Sequence, residues 1–410
     1  MLKKISVYVG IISLTLFACG LPVKSSDKSL NTSEDKAATV KTGLDILSET
    51  NCKKLKTKKV ALVTNMTAVD NRNIHIVDIM KTNDIKIVKI FTPEHGFSAK
   101  LDTKIENDKL GAIPLLSLYG KRRKLDPKEL SDVDIVVFDI QTVGARYYTY
   151  KATLVYIMQA AANAKKKLIV LDRPNPTGGV IVSGFMPQKG LTDKFTSIFP
   201  FPIRPGMTIG ELALMFNKEH NINCNLEVIA MQNWKRSMLF SDTNLPWHNP
   251  SPNINREEAA ILYNGLGWLE TTNISMARGT DLSFEMMGAP YIDSSKLIKK
   301  IGKVSGAVLK PVSFIPKAEY HKHYNKRCFG IQISMTDKRN FDPFPLGLLI
   351  YKALNELYPK DYISFSGLKT SSGRHNLKSD IQTRSMKDII ISTKKEIREF
   401  MKVRKKYLLY

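Results

Sequence analysis

Long apolar runs are missing from this sequence after its first twenty residues, where none reaches the roughly 20 residues that a membrane-spanning helix needs. The body of the chain is therefore expected to be soluble. Cysteine is scarce as well: the 410 residues contain four, with no CxxC or Cys/His cluster at zinc spacing, so no structural metal is expected. Three of them (Cys52, Cys224 and Cys328) follow the start of the chain, and this odd set allows at most one disulfide.

Phosphate-binding loops are also absent. No GxGxxG pattern follows the first apolar run of the body, and no GxxxxGK[ST] pattern occurs anywhere. The sequence therefore lacks the usual signatures of a dinucleotide or nucleoside triphosphate site. Nothing in it requires a cofactor.

The first nineteen residues have the layout of a secretory signal. Two lysines precede an apolar stretch over residues 5–17, and Leu-Phe-Ala-Cys at residues 16–19 resembles a lipobox. A thioether-linked lipid on Cys19 would anchor an exported protein to a bacterial membrane, facing the periplasm or the cell surface. The alternative is an ordinary signal peptide with an unrelated cysteine. Residues 20–40 are polar and are expected to form a flexible tether.

Acidic residues are few compared with basic ones, 38 against 62, which leaves a formal charge of +24. Such a charge on a cytoplasmic protein would suggest nucleic acid, but the secretory start argues against that partner. The positive charge is spread along the chain and favours compositional drift. The alternative is a basic surface that attracts anionic lipid headgroups or acidic glycans.

Short apolar runs alternate with helical patterns in the first half of the chain. Near-continuous apolar runs of this length are typical of buried parallel strands. Strand and helix in alternation predict an α/β fold with a Rossmann-like, doubly wound, mainly parallel sheet. The predicted strands are Lys59–Val63, Ile85–Phe91, Asp134–Phe138 and Leu168–Leu171, and helices are predicted at Ile74–Met80 and Ala152–Ala164.

The second half predicts a smaller α+β domain beside this sheet. Thr208 and Glu211 have the spacing of a capping box, so a helix should begin after Thr208. Another helix is predicted over residues 346–357, and a Lys-rich, partly helical tail over residues 378–410. The predicted organisation is a signal peptide (1–19), a tether (20–40), a Rossmann-like domain (41–180) and an α+β domain (181–410).

Polar residues follow all four predicted strands. Because parallel strands end at one edge of a sheet, and such sheets bind ligands there, these residues predict a site at that edge. The polar strand ends are Thr64-Asn65, Thr92-Pro93-Glu94-His95-Gly96, Asp139-Ile140-Gln141 and Asp172-Arg173-Pro174-Asn175-Pro176.

An ordered set of short motifs over roughly residues 40–370 resembles the exo-acting β-N-acetylmuramidase (NamZ/YbbC-type) family. The resemblance implies an exo-glycosidase that removes β-linked N-acetylmuramic acid from the non-reducing end of peptidoglycan fragments or muropeptides. It also implies a cleft between a Rossmann-like domain and a second, smaller domain of the same chain. The motifs are PEHG (93–96), SLYG (117–120), FDIQ (138–141), VGARYYTY (143–150), LDRPNP (171–176), GMTIGE (206–211), SPN (251–253), RGT (278–280) and GAP (288–290).

Glycoside hydrolysis normally uses two carboxyl groups, one as acid and the other as base or nucleophile. Glu94 is the candidate acid, and its alternative role is a structural carboxylate that caps the turn. His95 is a candidate for contact with Glu94 or with a sugar hydroxyl. Asp139 and Asp172 are candidates for the second carboxylate, although either could instead hold an arginine in place.

The remaining candidates would bind the sugar. Asn65, Gln141 and Asn175 offer neutral groups for hydroxyls or the acetamide, and Tyr148 could stack on the ring. The lactyl carboxylate of muramic acid suits a guanidinium group, for which Arg146, Arg173 and Arg278 are candidates. The resemblance also places Glu270 and Asn253 at the cleft.

The sequence departs from the family pattern at four positions. Thr142 and Ser183 stand where acidic residues are usual, Pro205 replaces a histidine, and Met276 with its neighbour Ala277 replaces Glu-Gly. These changes are expected to remove acidic groups and a histidine from the cleft. They leave a second hypothesis, a peptidoglycan-binding lipoprotein with weakened catalysis, and a third, a basic protein that binds polyanions.

Overall fold

The structure is a computed structural model that describes residues 39–100, 107–120, 122–193 and 195–410. The predicted signal peptide, Cys19 and nearly all of the predicted tether lie outside the described residues. Thr39–Tyr410 forms one compact unit. In this described part of the chain, no helix is both long enough and apolar enough to cross a membrane.

A seven-stranded sheet organises the first half of this unit. Its spatial order is β3-β4-β2-β1-β5-β6-β7, and every neighbouring pair is parallel except β3 with β4. The chain therefore builds outward from β1 in both directions, which confirms the doubly wound prediction. The strands are β1 (Lys59–Thr64), β2 (Lys86–Thr92), β3 (Asp108–Leu110), β4 (Ile113–Ser117), β5 (Ile135–Asp139), β6 (Lys167–Leu171) and β7 (Asn225–Ile229).

Both faces of the sheet are covered by helices. Successive residues of β1 point to opposite faces, so Val60 and Leu62 join one buried cluster while Ala61 and Val63 join another. The first cluster includes residues of α1 (Gly43–Glu49) and α2 (Ile76–Thr82), and the second includes residues of α3 (Tyr150–Asn163). Burial on both faces explains why these strands are continuous apolar runs.

The capping box at Thr208 is confirmed. The Glu211 amide donates to Thr208 Oγ1 at 3.2 Å, and the Thr208 amide donates to the Glu211 carboxylate at 3.0 Å. These two bonds satisfy backbone donors at the start of α4 (Ile209–Glu219).

A second, antiparallel sheet lies in the second half, in the order β8-β10-β9. Its strands are β8 (Met286–Ala289), β9 (Ala307–Phe314) and β10 (Cys328–Met335). The accompanying helices are α5 (Glu257–Leu266), α6 (Ser294–Ile301), α7 (Pro343–Leu357), α8 (Leu368–Ser372), α9 (Leu377–Thr383) and α10 (Met386–Arg404).

Two segments of the second half pack onto the first. Strand β7 pairs with β6, so the large sheet takes a strand from beyond the predicted boundary at residue 180. Arg404, at the end of α10, donates to the carbonyl oxygens of Gly179 (2.5 Å) and Gly206 (2.7 Å). The division at 180 stays a prediction, and the predicted Lys-rich tail is mostly helix docked on the body.

Candidate active site

A cavity of about 250 Å³ opens at the carboxyl edge of the large sheet, beside the point where the chain reverses its direction of winding. Segments that follow β2, β4 and β5 form one side of it, and residues of the second half form the other. The described residues that line it are Glu94, His95, Tyr119, Tyr147, Tyr148, Thr149, Thr196, Ser251, Ile254, Tyr263, Arg278, Phe284 and His321.

Glu94 lies in the tight turn that follows β2. Its side chain is half-buried, and the Thr149 hydroxyl donates a hydrogen bond to Oε2 of its carboxylate. The Tyr150 hydroxyl contacts the carbonyl oxygens of Glu94 (3.2 Å) and Pro250 (2.6 Å), which fixes the turn against the second half of the chain. His95 follows in a left-handed conformation, with φ 69°, and also lines the cavity. The turn thus presents a positioned carboxyl group.

Four aromatic rings form one wall of the cavity. Tyr263 packs edge-to-face against Tyr147 (centroids 5.2 Å apart), Tyr148 (6.1 Å) and Phe284 (4.9 Å). Burial raises the pKa of the Tyr147, Tyr148 and Tyr263 hydroxyls, so all three remain neutral at physiological pH. This wall offers an apolar, uncharged aromatic surface to a bound sugar ring.

Arg278 brings the positive charge to the cavity. Glu270 holds its guanidinium in a two-point pair, with Nη2 to Oε2 at 2.8 Å. Burial opposes ionisation of Glu270, but Arg278 outweighs it and the pKa of Glu270 is lowered. The Lys322 ammonium donates to the Glu270 carbonyl oxygen. Glu270 therefore orients Arg278 and stays ionised.

Asn253 supports the Arg278 turn from behind. Its Oδ1 accepts the Gly279 amide at 2.8 Å. Gly279 has φ +79°, and a Cβ at this position would lie 2.3 Å from the Ala318 amide nitrogen, so only glycine fits. Asn253 lies outside the cavity lining and acts on the site through this turn.

Of the two roles open to Asp139, the structure shows the one in which it holds an arginine. Its side chain is completely buried and forms a two-point ion pair with Arg173, with Nη2 to Oδ2 at 2.8 Å. Arg173 also donates to the Val69 carbonyl oxygen at 3.0 Å. Neither residue lines the cavity, so this pair joins the ends of β1, β5 and β6 instead of offering a second carboxylate or a substrate arginine.

Asp172 is also structural. Its carboxylate accepts the Thr208 hydroxyl (2.7 Å), the Gly210 amide (2.8 Å) and the Tyr410 hydroxyl (2.7 Å). Burial raises the pKa of Asp172 to about 6. It is completely buried and ties the start of α4 and the last residue of the chain to the end of β6.

Arg146 is buried and connects three segments of the chain by hydrogen bonds. It donates to the carbonyl oxygens of Phe185 (2.6 Å), Phe201 (2.9 Å) and Ser371 (2.8 Å), and burial lowers its pKa to about 9. It lies outside the cavity lining. The prediction that Arg146 binds a substrate carboxylate is therefore not supported by its position.

The three neutral candidates are likewise held by the protein itself. Asn65 bonds to Tyr150 (3.2 Å) and accepts from Thr67. Gln141 donates to the carbonyl oxygens of Thr142 and Pro174, both at 2.8 Å, and Asn175 donates to that of Met207 at 3.1 Å. All three are buried and shape the loops at the edge of the sheet without lining the cavity.

The four departures from the family pattern also lie away from the described lining. Thr142, Ser183, Pro205 and Met276 are buried, and none of them is among the residues that surround the cavity. Ser183 donates to Asp342 at 2.8 Å, and Met276 belongs to the main apolar core. The prediction that these changes remove polar groups from the site is therefore not supported by the position of the four residues.

Sequence reasoning missed several lining residues. Three of them lie inside motifs named above and could have been predicted from those motifs: Tyr119, Thr149 and Ser251. Tyr263, Phe284 and His321 come from the second half, outside those motifs. Their approach to Glu94 depends on how the two halves pack.

The described residues contain no evident metal-binding site. No group of three or more His, Cys, Asp or Glu side chains there is placed to hold an ion. Cys52, Cys224 and Cys328 are buried free thiols, so no disulfide joins them.

Comparison with known proteins gives one consistent result. Residues 60–258 match the family model described as Exo-beta-N-acetylmuramidase NamZ, N-terminal, and residues 261–410 match its C-terminal counterpart. The chain is 38% identical over 416 residues to the Peptidoglycan beta-N-acetylmuramidase NamZ of Bacillus subtilis (strain 168), covering 99% of each.

Two solved structures share the fold. Both are crystal structures of DUF1343 family proteins from Bacteroides fragilis NCTC 9343, with TM-scores of 0.82 and 0.74 and identities of 32% and 30%. Each comparison covers 91% of this chain and 99% of the other.

Proposed function

This chain belongs to the exo-β-N-acetylmuramidase NamZ family, and we propose that the Glu94 cavity is its active site. The protein is a glycoside hydrolase that releases β-linked N-acetylmuramic acid from the non-reducing end of peptidoglycan fragments. The observation that carries the assignment is the meeting of one positioned carboxyl group, one oriented arginine and an aromatic wall in a single cavity.

Glu94 acts as the general acid in this proposal. Cleavage of a glycosidic bond requires protonation of the leaving oxygen as its bond to the anomeric carbon breaks, while water bonds to that carbon and gives up a proton. Among the described residues, Glu94 is the one carboxyl group that lines the cavity. The bond from Thr149 occupies Oε2, which leaves Oε1 as the oxygen that delivers the proton.

Arg278 recognises the feature that distinguishes muramic acid from other amino sugars, its lactyl carboxylate. A guanidinium group pairs with a carboxylate more specifically than an ammonium group does. Because Glu270 fixes the orientation of Arg278, the arginine is set before the substrate arrives. The Tyr148 ring, in the aromatic wall of the same cavity, would contact the sugar face.

The experiment compares two disaccharides. One carries β-linked N-acetylmuramic acid at its non-reducing end, and the other carries the same two sugars in reverse order. We expect release of free N-acetylmuramic acid from the first only, detected by mass spectrometry. Cleavage of neither disaccharide, or of the second alone, would contradict the assignment.

We also propose that the protein is exported and anchored by a lipid on Cys19. Support comes from the lipobox-like residues 16–19 and the polar residues that follow. The protein should partition into the detergent phase of a Triton X-114 extract and lose that behaviour in a Cys19→Ser variant. A Cys52→Ser variant, which alters a buried thiol, is the matched control. Equal partitioning of all three proteins would refute the anchor.

A further inference from the structure

A wider groove lies beside the Glu94 cavity. It has a volume of about 720 Å³, and Met66, Phe97, Lys100, Trp247, Asn249 and Pro252 are among its lining residues. We call it the Trp247 groove.

The groove and the cavity share two wall segments. Glu94 and His95 line the cavity, and Phe97 and Lys100, a few residues later, line the groove. Opposite them, residues 249–254 alternate in the same way, since Ser251 and Ile254 face the cavity and Asn249 and Pro252 face the groove. The Tyr150 hydroxyl bonds to both segments. The boundary between the two spaces therefore passes through the Glu94 turn.

The position of Glu94 gives this boundary a chemical meaning. A general acid must reach the oxygen between the departing sugar and the rest of the substrate. A substrate whose terminal sugar fills the cavity consequently continues across the Glu94 turn.

Trp247 is built as a fixed platform within the groove. Its Nε1 donates to Asn249 Oδ1 at 3.1 Å, and its ring packs edge-to-face on Phe240 with centroids 4.9 Å apart. The side chain is nevertheless only half-buried, and Met66 near it is 39% exposed. A rigid, partly exposed indole suits the apolar face of a sugar ring, because little conformational entropy is lost on contact.

The described lining of the groove carries little charge. Burial, with a smaller contribution from Arg173, lowers the pKa of His248, which keeps this lining residue uncharged at neutral pH. Among the described lining residues, Lys100 is then the one charged group. This nearly uncharged lining with a half-buried indole suits the apolar face of a sugar ring.

We propose that the Trp247 groove binds the pyranose rings on the leaving-group side of the scissile bond, with Trp247 as the stacking platform. This inference rests on the proposed function of the Glu94 cavity. It makes Trp247 a determinant of preference for glycan chains over single glycosides.

Binding measurements test the groove without requiring turnover. Calorimetry on a Glu94→Gln background compares a tetrasaccharide that begins with N-acetylmuramic acid with methyl β-N-acetylmuramide. Trp247→Ala should weaken tetrasaccharide binding about tenfold and leave the small glycoside within about twofold. Trp247→Phe should recover part of the loss. Phe329→Ala, which removes an aromatic side chain that is 41% exposed and lines neither space, should change neither affinity.

Equal losses for both ligands, or no loss for either, would overturn the proposal. Loss of affinity for a peptide-bearing muramic acid but not for the tetrasaccharide would also overturn it, in favour of a peptide site. Failure of the wild-type protein to release sugar would be a separate result that bears on the Glu94 cavity, because the binding comparison does not depend on catalysis.

Discussion

The carboxyl groups of Glu94 and Asp139 lie on either side of the central strand β1 and have different roles. Glu94 follows β2 and Asp139 ends β5, and both strands pair directly with β1. Glu94 is half-buried, lines a cavity and accepts a bond from a neutral hydroxyl. Asp139 is completely buried and committed to Arg173 on both oxygens. At one edge of one sheet, exposure and the nature of the partner separate a group available for chemistry from one that holds loops together.

The largest expected effect is on catalysis at Glu94. Glu94→Gln keeps the shape of the side chain but removes the transferable proton, so kcat should fall about 10²- to 10⁴-fold. The free energy of unfolding should change little, because Glu94 has no cation committed to it among the described residues. Steady-state kinetics and urea unfolding measure the two quantities. A destabilised variant with normal kcat would reverse the comparison.

Asp139 should show the opposite pattern. Asp139→Asn leaves the Arg173 guanidinium buried without its counter-charge, which costs about 3–5 kcal/mol of unfolding free energy. Activity per folded molecule should be retained, since the pair lies outside the cavity. The double variant Asp139→Asn/Arg173→Met removes both charges and should recover part of the stability. A fall in kcat with unchanged stability would contradict the structural role.

The buried carboxyl group of Asp172 should make stability depend on pH. Its pKa in the folded protein is about 6, and an unfolded aspartate titrates at about 3.9. The folded state therefore binds the proton more tightly, and the resulting stability is present below about pH 4 and lost as the pH rises through 6. The unfolding free energy of the wild type minus that of Asp172→Asn should fall by about 2 kcal/mol between pH 4 and 7. A difference independent of pH would contradict the raised pKa.

The smallest expected effect concerns Arg278. Arg278→Lys keeps the charge but loses the two-point pair with Glu270, so KM for β-N-acetylmuramides should rise about tenfold with little change in kcat. Arg256→Lys is the matched control, because Arg256 pairs with Glu285 outside the cavity lining. A loss confined to kcat would assign Arg278 to the chemical step instead of to binding.

The fold followed from the sequence because its signals are local. Buried parallel strands are continuous apolar runs, and the runs at Lys59–Val63 and Leu168–Leu171 coincide with β1 and β6. The capping box at Thr208 and Glu211 was also predicted from a local pattern and is confirmed. The pairing of β7 with β6 depends on packing over a long sequence separation, which no local pattern encodes.

The site was predictable only in part. The Glu94 turn and Arg278 were found from their motifs, and the structure brings them to one cavity. Asp139, Asp172 and Arg146 have the same polar chemistry in similar motifs, but each is buried among partners that come from distant segments. Burial and partners are tertiary properties, so sequence alone could not separate these residues from the lining ones.

Substrates with different leaving groups test the role of Glu94 as the acid most directly. A general acid matters greatly for a poor leaving group such as a sugar and little for a good one such as 2,4-dinitrophenolate, which departs without a proton. We expect Glu94→Gln to lower kcat/KM by orders of magnitude on the disaccharide and only a few-fold on 2,4-dinitrophenyl β-N-acetylmuramide. Equal losses on both substrates would contradict the assignment of Glu94 as the acid.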